Sequence, residues 1–83
     1  MHYMLDEIGR HIRAARKLRG LSQKELALRL GMSRATISQI ESGSVQEIGI
    51  RRVMRLLDSL GLELRVRQAG LLPTLEELQE EQQ

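Results

Sequence analysis

The 83-residue sequence is long enough for one small domain and contains no cysteine, which excludes disulfides, thiolate zinc sites and cysteine nucleophiles. With no Phe or Trp and one Tyr, its core must be aliphatic, and the absence of a long apolar run or a secretory leader predicts a cytoplasmic protein. Residues 1–70 carry a net charge of +6 and residues 71–83 carry −4, which favours a polyanion as the partner of the basic body, although such a charge also serves solubility alone.

Residues 3–19 are predicted to form the first helix. Apolar residues recur there at spacings of three and four, which is the period of one helix face: Leu5, Ile8, Ile12, Ala15 and Leu18. Gly20 follows as a candidate C-cap. Most of the basic side chains of this segment lie off the apolar stripe and are expected to face solvent.

Residues 22–43 predict two short helices joined by a tight turn. Ser22 and Glu25 have the spacing of a capping box, so a helix over 23–30 is expected. Gly31 supplies the positive φ that ends this helix, and Ser33 can cap a second helix over 34–42. Each helix has an apolar inner face: Leu26, Ala27 and Leu30 in the first, and Ile37 and Ile40 in the second. Two short helices with a Gly-containing turn are the pattern of a helix-turn-helix.

The pattern resembles the DNA-binding domains of the phage-repressor family, also called Cro/CI or XRE, over roughly residues 5–60. The matching positions are Gln23, Ala27, Gly31, Ile37, Ile40, Glu41 and Gly43. The resemblance implies a lambda-repressor-like fold that binds duplex DNA. It also implies that Arg16 pairs with Glu41 and ties the first helix to the DNA-reading helix; the alternative is that both are ordinary surface charges.

The second helix of the motif is the candidate DNA reader. Arginine fits guanine O6 and N7 and glutamine fits adenine N6 and N7, so Arg34 and Gln39 are the strongest candidates, although Arg34 acting as a phosphate clamp remains the alternative. The residues expected to contact bases are Arg34, Ala35, Thr36, Ser38 and Gln39. Those expected to contact phosphates are Gln23, Ser33, Ser42, Ser44 and Arg51.

A loop over 43–49 precedes a predicted helix over 50–60. Its apolar residues are expected to pack under the motif: Ile50, Val53, Met54, Leu56, Leu57 and Leu60. Residues 62–67 then alternate apolar and charged side chains, which predicts a strand with one buried face. Because no second strand is predicted, we expect this strand to pair with its copy in a dimer, burying Leu62, Leu64 and Val66. The alternative is an extension of the preceding helix or loop.

The tail over 71–83 holds four acidic residues and no basic ones. Thr74 and Glu77 have capping-box spacing, so a short helix is expected from Leu75. A helix-turn-helix followed by LGLELRVR and an acidic tail is similar to the HipB family of antitoxins. That resemblance implies a strand-linked dimer that represses its own operon and binds a kinase-like toxin.

The predicted fold is mainly α: a lambda-repressor-like helix-turn-helix domain of about five helices, followed by one short β-strand that pairs across a dimer. Residues 1–61 would be the DNA-binding domain, 62–70 the dimerising strand and 71–83 an acidic flexible tail. The predicted function is a homodimeric repressor that binds a palindromic operator, with an antitoxin role. The alternatives are a stand-alone XRE-type regulator, or a protein-interaction module on the same fold. His2 and His11 stand far from any acid–base constellation, so no enzyme, metal or cofactor is expected.

Overall fold

A computed structural model describes residues 2–69, except the side chains of residues 2 and 3. This part of the chain forms four α-helices: α1 His2–Leu18, α2 Gln23–Leu30, α3 Arg34–Ser42 and α4 Ile50–Ser59. All four predicted helices are confirmed, with bounds that agree within one residue. The predicted number of about five helices is not confirmed, because residues 2–69 contain four. The tail helix predicted from Leu75 lies outside the described residues.

The motif helices begin and end at the residues that the sequence predicts. The Ser22 side chain accepts a hydrogen bond from the backbone N–H of Glu25 at 3.0 Å, and the Glu25 carboxylate accepts one from the backbone N–H of Ser22 at 3.1 Å. Gly31 and Gly43 end α2 and α3 with φ values of 66° and 75°, in the left-handed region that glycine adopts without strain. These caps fix the length of each motif helix and the path of the turn between them.

The core lies among all four helices and is entirely aliphatic. Its fully buried side chains are Ile12, Leu26, Ile37 and Leu56. Six further apolar residues are buried around them: Ala27, Leu30, Met32, Ile40, Leu57 and Leu60. Each large side chain buried in this way stabilises the fold by about 1.5–3 kcal/mol, so packing of all four helices on one another holds the motif in place.

Four residues predicted to pack inward are instead exposed, and one of them is Leu5 on α1, at 39%. Leu18 is 90% exposed because it is the last residue of α1, and Ile50 is 63% exposed because it is the first residue of α4. Met54 is 40% exposed, since burial on α4 is concentrated at Leu56 and Leu57 and at Leu60 just beyond the helix. The apolar stripe of α4 is therefore partly covered at Val53 and fully covered only toward its C-terminal end.

Helices α1 and α3 are in tight backbone contact at Gly9. A Cβ atom added there would lie 2.5 Å from the carbonyl oxygen of Ile40, a distance that real Cβ atoms do not adopt. Gly9 thus permits the backbones of α1 and α3 to pack in contact. This explains a glycine inside a helix, where it otherwise costs about 1 kcal/mol relative to alanine.

Residues 62–68 form neither a helix nor a strand in the described single chain. The Leu62 N–H donates to the carbonyl of Leu57 at 2.8 Å, and Leu62 is half-buried against the core. Leu64 is 39% exposed and Val66 is 96% exposed. A strand needs a partner for its backbone groups, so pairing across a dimer stays a prediction. Among the described residues, no helix has the length and apolar character needed to span a membrane.

Candidate nucleic-acid interface

The outer face of α3 carries the residues predicted to contact bases. Arg34, Ala35, Ser38 and Gln39 are exposed, and Thr36 is half-buried. Opposite them on the same helix, Ile37 is fully buried and Ile40 is 5% exposed. Packing of that inner face therefore fixes which side chains α3 presents to solvent. These are small or hydrogen-bonding, and Arg34 is the charged one among them.

Arg16 and Glu41 form a buried ion pair between α1 and α3. The Arg16 Nε and Nη2 atoms donate to the two carboxylate oxygens of Glu41 at 2.6 and 3.0 Å. Their side chains are only 9% and 3% exposed. Hydrogen bonding to Glu41 raises the pKa of Arg16 above its ordinary value, although burial acts in the opposite direction. This two-point contact fixes the orientation of α3 relative to α1.

Gln23 joins this pair from the start of α2. Its Nε2 atom donates to Glu41 Oε1 at 3.2 Å, so its amide is held by the protein itself as well as standing at the helix N-terminus. The Arg16 Nη1 atom also donates to the carbonyl of Leu21 at 2.7 Å, just before α2. Glu41 and Arg16 consequently link α1, the start of α2, and α3 in one network.

A shallow polar cleft of about 280 Å³ opens beside this network. Its lining residues are Arg13, Arg16, Gln23, Ser38, Glu41 and Ser42. Arg13 is a residue that sequence reasoning did not select. The signal was available, because Arg13 lies three residues before Arg16 and therefore on the same side of α1. It adds an exposed positive charge next to the outer face of α3.

Ser33 and Thr36 serve the N-terminus of α3. The Ser33 hydroxyl accepts from the Thr36 backbone N–H at 3.1 Å, and the two hydroxyls lie 2.8 Å apart in a second hydrogen bond. Ser33 was predicted to contact phosphate and Thr36 to contact a base. The Ser33 hydroxyl is therefore the N-cap of α3, and the Thr36 hydroxyl is bonded to it. The Thr36 methyl stays the group predicted to contact a base.

Ser42 and Ser44 form a local hydrogen-bonded chain after α3. The Ser42 hydroxyl donates to the carbonyl of Gln39 at 3.2 Å, and the Ser42 and Ser44 hydroxyls lie 2.7 Å apart. Because a hydroxyl has one proton, Ser44 is then the donor to Ser42. Ser42 and Ser44 were predicted to contact phosphates, but both hydroxyl protons are used in hydrogen bonds within the protein. A hydrogen bond to a phosphate therefore requires these hydroxyls to rotate.

Three further arginines fall into two groups. Arg51, at the start of α4, is exposed. Arg19 and Arg55 instead bridge backbone groups: Arg19 Nη2 donates to the carbonyl of Leu60 at 2.7 Å, and Arg55 Nη2 donates to that of Leu30 at 3.3 Å. The second group ties helix ends together, so the basic charge of the body divides between surface and structural roles.

The fold and this surface define a helix-turn-helix protein. The family profile for the XRE-type helix-turn-helix matches residues 12–66, more than half of the sequence, and the chain belongs to that family. It is 35% identical over 75 residues to the HTH-type transcriptional regulator y4dL of Sinorhizobium fredii, covering 90% of this chain and 38% of that protein. It therefore spans less than half the length of this relative.

The structure is also similar to that of the restriction-modification controller protein C.AhdI from Aeromonas hydrophila. The TM-score is 0.65 with 27% sequence identity, and the match covers 75% of this chain and 88% of the controller protein. The likeness extends over most of the helical body.

Proposed function

We propose that the protein is a sequence-specific transcriptional regulator that binds duplex DNA through α3 and acts as a repressor. The observation that carries this proposal is the exposed face of α3, with Arg34 and Gln39 outward, on a helix held from behind by buried Ile37 and by the ion pair of Glu41 with Arg16. A reading helix must be rigid to select bases, and this one is fixed on its inner face and near its C-terminal end.

In this proposal the N-terminal part of α3 enters the major groove. Arg34 donates two hydrogen bonds to a guanine, Gln39 pairs with an adenine, and Ala35 with the Thr36 methyl contacts a thymine methyl. Ser38 contacts the edge of a neighbouring base. Gln23, Ser33, Ser42, Ser44 and Arg51 contact phosphates around the groove.

Binding to duplex DNA of operator length is the direct test of the proposal. If a dimer neutralises on the order of 6–10 phosphates, log affinity falls against log salt with a slope of about −5 to −9. The motivation is the +6 charge of residues 1–70. Salt-insensitive binding, or none to duplexes from the protein's own promoter, contradicts the proposal.

We infer that the regulator is a homodimer on a palindromic operator. Two half-sites one helical turn apart require two reading helices at a fixed separation, which a twofold axis provides. The alternating segment over 62–67 is the proposed contact, with Leu62, Leu64 and Val66 on its apolar side. Pairing of that segment with its copy would supply the partner for its backbone groups.

The finer proposal is that this dimer is also the antitoxin of a HipBA-like operon in the cytoplasm and binds a kinase-like toxin. It rests on the segment LGLELRVR and the acidic tail that follows it. Affinity purification from the native cell tests it, since recovery of a stoichiometric kinase-like protein supports the antitoxin role. Recovery of operator DNA without that protein supports a stand-alone regulator, and a protein partner with no DNA supports an interaction module.

A further inference from the structure

An apolar groove of about 200 Å³ lies where α1 and α4 meet the segment after α4. It is lined by Glu7, Ile8, His11, Leu57, Leu62, Glu63 and Leu64. The floor is aliphatic, while two carboxylates stand at its rim. Leu64 in this lining is 39% exposed and Val66 close to it in sequence is 96% exposed, so within residues 2–69 apolar side chains stand uncovered at an apolar groove.

Two segments carry apolar side chains that could fill this groove, and the negative charge of its rim distinguishes between them. The tail over 71–83 carries leucines but four acidic residues and no basic ones, so Glu7 and Glu63 disfavour it. The segment over 62–67 of a second copy carries apolar residues together with Arg65 and Arg67. It therefore matches both the floor and the rim.

Antiparallel pairing of this segment with its own copy has one register that satisfies both packing and charge. With Leu64 on the twofold axis, Leu64 faces its copy, Leu62 faces the partner's Val66, and Glu63 faces the partner's Arg65. Directly opposed side chains share one face of the ribbon, so apolar meets apolar and opposite charges meet. Shifting the axis to Arg65 would place like charges opposite each other, and a shift by one residue in pairing would oppose apolar and charged side chains.

We propose that the groove between α1 and α4 receives the partner's Val66, in a ribbon whose register is set by Leu64 on the twofold axis. Leu62 lines the groove, and the side chain that faces Leu62 across this ribbon therefore lies over Ile8 and Leu57. Glu63 and Arg65, which already pair at 3.0 Å within one chain, join their copies in a ring of alternating charge. The inference rests on the proposed dimer and assigns its interface.

Cysteine cross-linking tests this register, because the protein contains no cysteine of its own. Directly opposed residues in an antiparallel pair lie about 4.5–5.5 Å apart at Cα, within reach of a disulfide. Leu64→Cys should therefore oxidise to a covalent dimer. Val66→Cys alone should not, since the two copies lie four residues out of register, about 13 Å apart. An equal mixture of Leu62→Cys and Val66→Cys should cross-link as a heterodimer.

Other cross-linking patterns overturn the proposal. Ready oxidation of Val66→Cys alone, or none for Leu64→Cys, shows a different register or a different interface. A cross-link within one chain between His11→Cys and Leu75→Cys assigns the groove to the acidic tail.

Charge reversal provides a second measurement by sedimentation. Glu63→Arg and Arg65→Glu should each lose the homodimer, while their mixture should form a heterodimer and the double swap should restore the homodimer. Val66→Asp should also lose the dimer, and Gln68→Asp, the same charge change at a nearby exposed residue, should keep it. Dimeric Val66→Asp contradicts the groove assignment. All these measurements are made without DNA, so a dimer with this register that binds no operator refutes the proposed function alone.

Discussion

At the scale of single residues, the most constrained group is the network of Arg16, Glu41 and Gln23. A buried ion pair is weak evidence for net stability, because both charges lose their water. Its contribution here is geometric: the two hydrogen bonds from Arg16 hold Glu41, and Glu41 holds the Gln23 amide at the start of α2. One carboxylate thus sets the position of a candidate phosphate contact and of the candidate reading helix.

Glu41→Gln should destabilise the fold strongly although it preserves the side-chain shape. It leaves Arg16 as a buried charge without its counter-charge, and breaking such a pair costs about 3–5 kcal/mol. Chemical denaturation measures this loss, with Glu47→Gln in the exposed loop as the matched control. Equal stability of the two variants would show that the pair is not energetically coupled to folding.

The carboxylate of Glu25, which caps α2, is expected to make the free energy of unfolding fall at acidic pH. Hydrogen bonds from the backbone and side chain of Ser22 lower the pKa of Glu25 below its ordinary value of 4.5. The unfolded chain then binds this proton at higher pH than the folded chain, so the contribution is complete above about pH 4.5 and is lost as pH falls through the lower folded pKa. Glu25→Gln should flatten the stability profile in that range in denaturation series at several pH values. An unchanged profile contradicts the assignment.

At the scale of elements, the contact of α1 with α3 depends on Gly9, and α4 begins without a side-chain cap. Gly49 precedes α4 with φ −67° and ψ 140°, values open to any residue, and a Cβ added there would meet nothing within 4 Å. Packing therefore requires a glycine at position 9 but not at position 49.

Gly9→Ala and Gly49→Ser should therefore change stability in opposite directions. The added methyl group at Gly9 meets the Ile40 carbonyl, and overpacking of this kind costs about 1–3 kcal/mol, which outweighs the gain in helix propensity. A serine at Gly49 should supply the missing cap, which is worth a few tenths of a kcal/mol over glycine, and should also restrict the unfolded chain, so the fold gains about 0.5–1 kcal/mol. Thermal unfolding of both variants is the measurement, and a Gly9→Ala protein as stable as the parent would contradict the described helix contact.

The sequence predicts the helix bounds well because capping residues act locally. Ser22, Glu25, Gly31 and Gly43 each have one dominant structural role at their spacing, and the structure places them in it. The sequence predicts burial less well, because burial depends on which part of each helix packs against another helix. Leu18 and Ile50 fit the helical period but lie at helix ends, and nothing in the local pattern distinguishes the covered part of an apolar stripe from the uncovered part.

The candidate site shows the same division between local and distant information. The pairing of Arg16 with Glu41 came from family resemblance, since 25 positions separate the two residues. The donation from Gln23 to Glu41 and the placement of Arg13 beside α3 also depend on helix packing. Which hydroxyls are already used, as at Ser42 and Ser44, requires coordinates because several local partners compete for each.

At the scale of the whole molecule, the surface proposed to read DNA and the surface proposed to form the dimer are separate. Arg34 and Gln39 lie on α3, whereas Leu64 and Val66 follow α4 and border the groove of α1 and α4. A charge at Leu64 would be tolerated by a monomer that exposes 39% of this residue but not by the proposed ribbon.

Leu64→Asp should accordingly give a folded monomer that has lost operator affinity, although every predicted DNA contact is intact. Sedimentation at micromolar concentration measures the oligomeric state, and circular dichroism checks that the helices persist. Gln68→Asp is the matched control, because it adds the same negative charge at a nearby exposed residue. A Leu64→Asp dimer with undiminished affinity would show that the segment is not the contact.

Whether α3 reads bases can be measured by binding Arg34→Ala and Arg51→Ala to a panel of operators with single base-pair changes. Both variants lose one exposed arginine, so they are matched in charge. Arg34→Ala should lose roughly 1–3 kcal/mol on the parent operator and stop discriminating at one base pair of each half-site. Arg51→Ala should weaken binding to every operator about equally and leave the order of preference unchanged. If Arg34→Ala instead weakens all operators alike and discrimination at every position survives, α3 does not read bases through Arg34, which contradicts the proposed function.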